Sequence, residues 1–159
     1  MKIGVLSDTH CATINEIPKT VLKELSRVNL VIHAGDYTGV KLIDELRSMF
    51  EFIGVYGNMD PYEIREMLPE RQIFQSGSYK IGVIHPSVGG SPFNIEKRLG
   101  FESNVDIIIH GHSHRARKEY IGKILYFNPG STIGKFPATY RSFGLLEINE
   151  KVEGAIIKF

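Results

Sequence analysis

Apolar and polar residues follow two rhythms along this chain. A short apolar run with Ile3 and Val5 starts almost at the first residue and predicts a strand that runs out into Ser7-Asp8-Thr9-His10. After a polar loop, Asn15 reads as the N-cap of a helix. Its apolar positions Ile17, Val21, Leu22, Leu25 and Val28 recur at helical spacing, and Pro18 falls in the first turn, where proline is tolerated. Residues 30–33 predict a second strand, closing in Ala34-Gly35-Asp36, and Leu42, Ile43, Leu46 and Met49 mark a second helix. Residues 52–56 predict a third strand, closing in Gly57-Asn58-Met59-Asp60. Asp60 then reads as the cap of a short helix, with Pro61 at its first position and Glu63 placed for a capping box. Strand alternating with helix at this spacing predicts crossover units and a largely parallel sheet.

From about residue 72 the rhythm changes. Ile73-Phe74 and residues 80–84 flank the turn Ser76-Gly77-Ser78 and predict a hairpin whose second arm ends at His85. Residues 86–90 read as a loop, and Ser91-Pro92 opens a helix that Gly100 closes. Residues 105–109 predict an apolar strand ending in His110-Gly111-His112-Ser113-His114. The remainder reads as strands at 119–121, 123–127, 143–148 and 152–158. A parallel first part and an antiparallel last part predict an α/β fold: a four-layer α-β-β-α sandwich, two mixed sheets packed face to face with helices outside, in a single domain over residues 1–159.

Composition narrows the function classes. A length of 159 residues suits one domain, and 42% hydrophobic with 23% charged residues is the make-up of an ordinary soluble globular protein. A net charge of +1 implies no bulk attraction to nucleic acid or to an anionic membrane. The lone Cys11 excludes an intrachain disulfide and gives no sign of secretion. No apolar run approaches a membrane span and the N-terminus lacks signal-peptide anatomy, so a cytoplasmic protein is the default expectation.

The candidate chemistry lies where the strands end. In extended chain, residues i and i+2 lie on the same side, so Asp8 and His10 leave the first strand pointing roughly the same way. Five strand-like runs terminate in a potential ligand: Asp8 with His10, Asp36, Asn58, His85, and the histidines of 110–114. In open α/β sheets, sites form at the carboxyl ends of strands. Oxygen and imidazole donors without a thiolate favour Mn, Fe, Co, Ni or Zn over a closed structural zinc site. There are too many donors for one ion, whereas two ions about 3.5–4 Å apart, sharing one carboxylate, would use them all.

The order Asp-x-His, Gly-Asp, Gly-Asn-x-Asp, His, Gly-His-x-His resembles the calcineurin-like metallophosphoesterase superfamily, from Met1 to about Ser131. The short chain, Gly57-Asn58-Met59-Asp60 and Asn128-Pro129-Gly130-Ser131 resemble its small prokaryotic phosphodiesterase branch. The resemblance implies a dinuclear centre of two divalent transition-metal ions, Mn being the first choice for assay and Ni, Fe, Co or Zn the others. Asp36 would bridge both ions; Asp8, His10 and His114 would complete one, and Asn58, His85 and His112 the other. A bridging hydroxide would attack phosphorus in line, and Asn58 could also donate its amide N–H to a phosphate oxygen. Two divalent ions and two carboxylates leave a residual charge of about +2, which suits a hydroxide and an anionic phosphate oxygen.

Two departures matter. Met59 stands where many superfamily members have a histidine thought to protonate the leaving oxygen, and methionine has no proton to give. A steep dependence on leaving group follows, with aryl diesters cleaved far faster than alkyl ones. His85 is followed by Pro86-Ser87 where relatives commonly have Gly then His, which leaves the angle of His85 open while keeping it a ligand. Residues 87–91 read as shaping substrate access. His110 reads as packing behind the site, with proton donation the lesser alternative; His33 reads as structural, Cys11 as a bystander and Tyr37 as no ligand.

The expected activity is metal-dependent hydrolysis of a small phosphodiester or nucleotide. The alternatives are a phosphomonoesterase of the same mechanism and a catalytically silent metal-binding scaffold of the same fold; against the scaffold, every matched ligand position is intact. Near-neutral charge offers no basic stripe for a nuclease to track a duplex. A membrane partner is not expected, and the sequence leaves open a homo-oligomer.

Overall fold

The computed structural model describes residues 1–86, 94–95 and 104–159. The first sheet begins with β1 (Lys2–Leu6), pairs it in parallel with β2 (Leu30–His33), and β2 in parallel with β3 (Phe52–Gly54). On the other side of β1, β9 (Ser142–Ile148) and then β10 (Val152–Lys158) add antiparallel, giving the order β10-β9-β1-β2-β3. The second sheet contains β4 (Arg71–Ser76), β5 (Tyr79–Ile84), β6 (Ile107–His110), β7 (Arg117–Ile121) and β8 (Ile124–Asn128) in the order β4-β5-β6-β8-β7. β5, β6 and β8 run parallel, and β4 and β7 close the edges antiparallel.

The period-2 alternation of the strands builds the layers. Ile3, Val5 and Ile32 of the first sheet face Ile81, Val83, Ile107, Ile109, Leu125 and Phe127 of the second, forming the core between them. On the outer face of the first sheet, Leu6 and Val31 meet the apolar stripes of α1 (Lys19–Leu25) and α2 (Val40–Met49) through Val21, Leu25, Leu42, Ile43 and Leu46. On the outer face of the second, Ile84, Ile108 and Tyr126 pack with the helical Ile95. The two mixed sheets are stacked as the sequence predicts. The predicted helix from Ser91 to Gly100 and the loop at 87–91 fall almost wholly outside the described residues, which include only Asn94 and Ile95 of it. Among the described residues no helix is long and apolar enough to cross a membrane.

Two local expectations are corrected. Asn15 does not cap α1: it lies inside a 3-10 turn, Ile14–Glu16, whose N-cap is Thr13, with the Glu16 carboxylate accepting the Thr13 N–H at 2.9 Å. Pro18 then stands at the N-cap of α1, which begins at Lys19 and ends before Val28. Proline fixes its own φ and lacks an N–H, so it ends the turn and starts the next helix afresh. Asp60 likewise caps nothing. Pro61 occupies the N-cap of α3 (Tyr62–Met67), with no side-chain hydrogen bond, while the Asp60 carboxylate turns back toward the strand ends.

Candidate metal centre

The parallel strands deliver their carboxyl ends to one edge. Past the end of β1 and β2 the two backbones stay zipped: Asp8 N–H donates to the Gly35 carbonyl at 3.0 Å and His10 N–H to the Asp36 carbonyl at 2.9 Å. In the second sheet Ile84 is paired with His110, so His85 and Gly111 emerge side by side. Gly35, at φ 93°, makes room for this meeting, because a Cβ there would lie 2.6 Å from His85 Nδ1. Gly57 likewise leaves space that the Asp36 carboxylate occupies.

Asp8, His10, Asp36, His112 and His114 all have positive φ, between 46° and 79°, as does Asn104. For residues other than glycine this left-handed backbone costs on the order of 1 kcal/mol or more each, and such strain clusters at functional sites. Here it redirects successive side chains of each turn inward.

The geometry brings all seven predicted residues together in two groups that meet at Asp36. In the first, ligand atoms of Asp8, His10, Asp36 and His114 all lie within 4.8 Å of one another. His10 Nε2 faces His114 Nε2 at 3.3 Å, and His114 Nε2 lies 3.2 Å from Asp8 Oδ1. In the second, Asn58 Oδ1 lies 2.9 Å from His112 Nδ1 and 3.2 Å from His85 Nε2, and His85 Nε2 lies 3.4 Å from Asp36 Oδ2. Pro86 therefore does not turn His85 away.

Backbone carbonyls settle which ring nitrogens face inward as acceptors. His85 Nδ1–H donates to the Ala34 carbonyl at 2.6 Å, and His114 Nδ1–H to the Lys135 carbonyl at 2.8 Å. In each neutral ring Nε2 is then left with a lone pair directed at the carboxylates, the arrangement that a bound cation requires. Several lone pairs converging on buried carboxylates fit a divalent metal, and a proton on Nε2 of His85 or His114 would point in the same direction, at the carboxylates.

The electrostatics agree. Burial works against ionising Asp36, but hydrogen bonding and charge from His85, with the Met59 N–H at 2.9 Å, hold its carboxyl down at about 2. Burial would lower the His85 imidazole, yet the bond to Asp36 and the charges of Asp8 and Asp36 raise it. His114 is raised, chiefly by its bond to Asp8. Burial lowers His10 and His112. The raised pair marks where the carboxylates draw positive charge, which is the demand a divalent ion would meet.

Several supporting residues escape sequence reasoning. Asp60, 3% exposed, accepts N–H bonds from Gly57 at 2.6 Å and Asp36 at 3.1 Å on Oδ2, and from Tyr37 at 2.6 Å on Oδ1. It thereby ties the loop bearing Asn58 to the loop bearing Asp36. Arg65 holds the same loop from behind, donating to the carbonyls of Asn58 and Asp60, both at 2.9 Å. Ser7 Oγ donates to Asp8 Oδ2 at 2.8 Å. Only the spacing of Asp60 from Asn58 was visible in the sequence, and helix capping explained it equally well.

Asn128 Nδ2 donates to the Gly111 carbonyl, and Ser131 Oγ to the Asp8 carbonyl, so residues 128–131 back the site. His110 is buried behind it, its Nε2 without a hydrogen-bond partner among the described residues, and burial lowers its imidazole to about 4. His33 and Tyr37 are buried and stacked, 3.8 Å between centroids. Cys11 is buried, and burial pushes its thiol up to about 11, which keeps it protonated at neutral pH.

Comparison with known proteins bears on this geometry. The pattern described as the calcineurin-like phosphoesterase superfamily domain matches residues 1–151. A probable metallophosphoesterase of Methanocaldococcus jannaschii is 38% identical over 162 aligned residues, spanning 99% of this chain and 81% of the relative. A phosphodiesterase of the same organism is 26% identical over 159 residues, spanning 95% of each. Among solved structures, the Zn²⁺ complex of Vps29 from Entamoeba histolytica superposes with a TM-score of 0.79 at 26% identity, spanning 99% of both chains. With its family pattern, its relatives and its cluster of metal-ligating side chains in agreement, this chain belongs to the calcineurin-like phosphoesterase superfamily and is a metallophosphoesterase, a hydrolase of phosphate esters.

Proposed function

We propose that the protein is a metal-dependent phosphodiesterase that hydrolyses a small phosphodiester or nucleotide. The observation that supports this most is the meeting of two ligand groups at one carboxylate, Asp36. In this reading Asp8, His10, Asp36 and His114 hold one divalent transition-metal ion, and Asp36, Asn58, His85 and His112 hold a second. Such a pair supplies Lewis-acid activation of water and neutralises charge on the phosphate.

The chain's own part is positional. Asp60 and Arg65 hold the Asn58 loop against Asp36, and the Nδ1–H bonds of His85 and His114 keep Nε2 turned inward. Asn58 presents Oδ1 to the imidazoles, leaving its amide N–H to donate to a phosphate oxygen. Met59, 63% exposed beside Asn58, offers no proton, so the leaving oxygen must depart with little help. That favours diesters with acidic leaving groups, and the relative named a phosphodiesterase supports a diester over a monoester.

The test is turnover by Mn²⁺-loaded protein, its metal content analysed, of bis-p-nitrophenyl phosphate against p-nitrophenyl phosphate. Preference for the diester is expected, and preference for the monoester would overturn the reading. The likeness to Zn²⁺-bound Vps29 favours one second reading, a silent metal-binding scaffold. Full metal loading without turnover of either ester would select it.

A further inference from the structure

The loop that orients His114 also carries the most exposed large hydrophobic side chain among the described residues. Its start is tied under the end of β1, where Ser131 Oγ donates to the Asp8 carbonyl at 2.8 Å and Thr132 N–H to the Ser7 carbonyl at 3.3 Å. Lys135 N–H donates to Ser131 Oγ at 3.1 Å, and the Lys135 carbonyl accepts both His114 Nδ1–H at 2.8 Å and Ala138 N–H at 2.9 Å. The backbone is thus pinned to the site at residues 131, 132 and 135. On it stand the exposed Lys135 and then Phe136, 88% exposed.

A single exposed apolar residue is ordinary. The placement gives this one meaning: it is one residue from the carbonyl that holds a candidate ligand, on fixed backbone, beside a lysine. Across the centre, Met59 is also uncovered, and its N–H reaches Asp36 Oδ1 at 2.9 Å. Lys135 thus carries the carbonyl that holds His114, Phe136 follows it directly, and Met59 follows Asn58 in the other ligand group. A phosphate with a planar group on one ester arm matches that arrangement.

We propose that Lys135 and Phe136 form a nucleoside subsite: the Phe136 ring stacks on the base of a nucleotide-type substrate, and the Lys135 ammonium meets a non-reacting phosphate oxygen. This rests on the reading of the centre as a phosphate site. A ring accepts any base by its face, so the subsite selects nucleotides as a class without choosing among bases.

Two measurements test it. The first is calorimetric titration of Mn²⁺-loaded wild type and Phe136→Ala with adenosine 5′-monophosphate and with methyl phosphate, which has no base. Wild type should bind the nucleotide about tenfold more tightly than methyl phosphate, the scale of one base stacked on an aromatic ring. Phe136→Ala should erase that preference without changing methyl phosphate binding, Phe136→Trp should keep it, and Lys135→Gln should weaken both ligands. Equal affinities in wild type, or equal weakening of both ligands by Phe136→Ala, would overturn the proposal.

The second compares thymidine 5′-p-nitrophenyl phosphate with methyl p-nitrophenyl phosphate, which share a leaving group. Phe136→Ala should raise KM for the thymidine ester alone, by about tenfold; a rise for both esters, or for neither, would count against the subsite. Failure of wild type to turn over either ester would refute the phosphodiesterase reading, and the calorimetric preference would still decide the subsite.

Discussion

Asp60 does more for the site than a helix cap would. Its two oxygens gather three backbone N–H groups from two different strand ends, and burial pushes its carboxyl up to about 6 against their pull. Asp60→Asn replaces one acceptor with a donor that faces N–H groups. Residues placed behind metal ligands typically contribute 10–100-fold in metal affinity, so Asp60→Asn should weaken Mn²⁺ binding by about that factor, read by calorimetry. His33 makes a pH prediction. Its Nδ1 accepts the Gly35 N–H at 3.2 Å and its Nε2–H donates to Thr9 Oγ1 at 2.9 Å, so the neutral ring is fully used. Burial lowers its imidazole to about 3 from an ordinary 6.5. The unfolded chain therefore takes up this proton as pH falls through 6.5, while the folded chain resists until about 3, and stability is lost across that window. By pH 5 the loss from this group should reach roughly 2 kcal/mol. His33→Gln, which keeps a donor and an acceptor but does not titrate, should flatten the pH dependence of denaturant unfolding by that amount.

Among the elements, β8 shows how the two sheets lock together. The Phe127 ring lies between them; at Gly144 of β9 a Cβ would intrude on it, and at Gly154 of β10 a Cβ would press tightly against it. Phe127→Ala should therefore destabilise the fold by about 3–5 kcal/mol, measured by chemical denaturation, because neighbouring strands cannot collapse into the space. The elements were largely legible in the sequence. Short apolar runs around Ile3 and Val5, Ile32 and Ile107 marked strands, and the acids, amide and imidazoles stood at the strand ends where parallel sheets place their sites. The local errors have physical causes. Asn15 and Thr13 are both good capping residues, and only the Glu16 bond to Thr13 decides between them. Asp60 has the spacing of a cap, and its true partners, Gly57, Asp36 and Tyr37, are brought within reach only by the pairing of β2 with β3. The Lys135 carbonyl on His114 is a contact between residues 21 apart, and no side-chain pattern encodes a carbonyl's position.

At the scale of the molecule, the site joins the two sheets. Asp8, His10, Asp36 and Asn58 come from the first sheet, and His85, His112 and His114 from the second. An ion held by ligands from both sheets binds the folded chain and not the unfolded one, so metal should stabilise the whole domain. At a hundredfold excess over Kd the gain is about 2.7 kcal/mol per ion. For a chain of 159 residues this corresponds to roughly 5–10 °C per ion, so dialysis against chelator should lower Tm by that much and Mn²⁺ should restore it. The measurement that bears most directly on the account is anomalous scattering from a crystal soaked in Mn²⁺. Two peaks are predicted, one between Asp36 and the His10–His114 pair and the other between Asp36 and the His85–His112 pair. A single peak, or peaks away from Asp36, would contradict it.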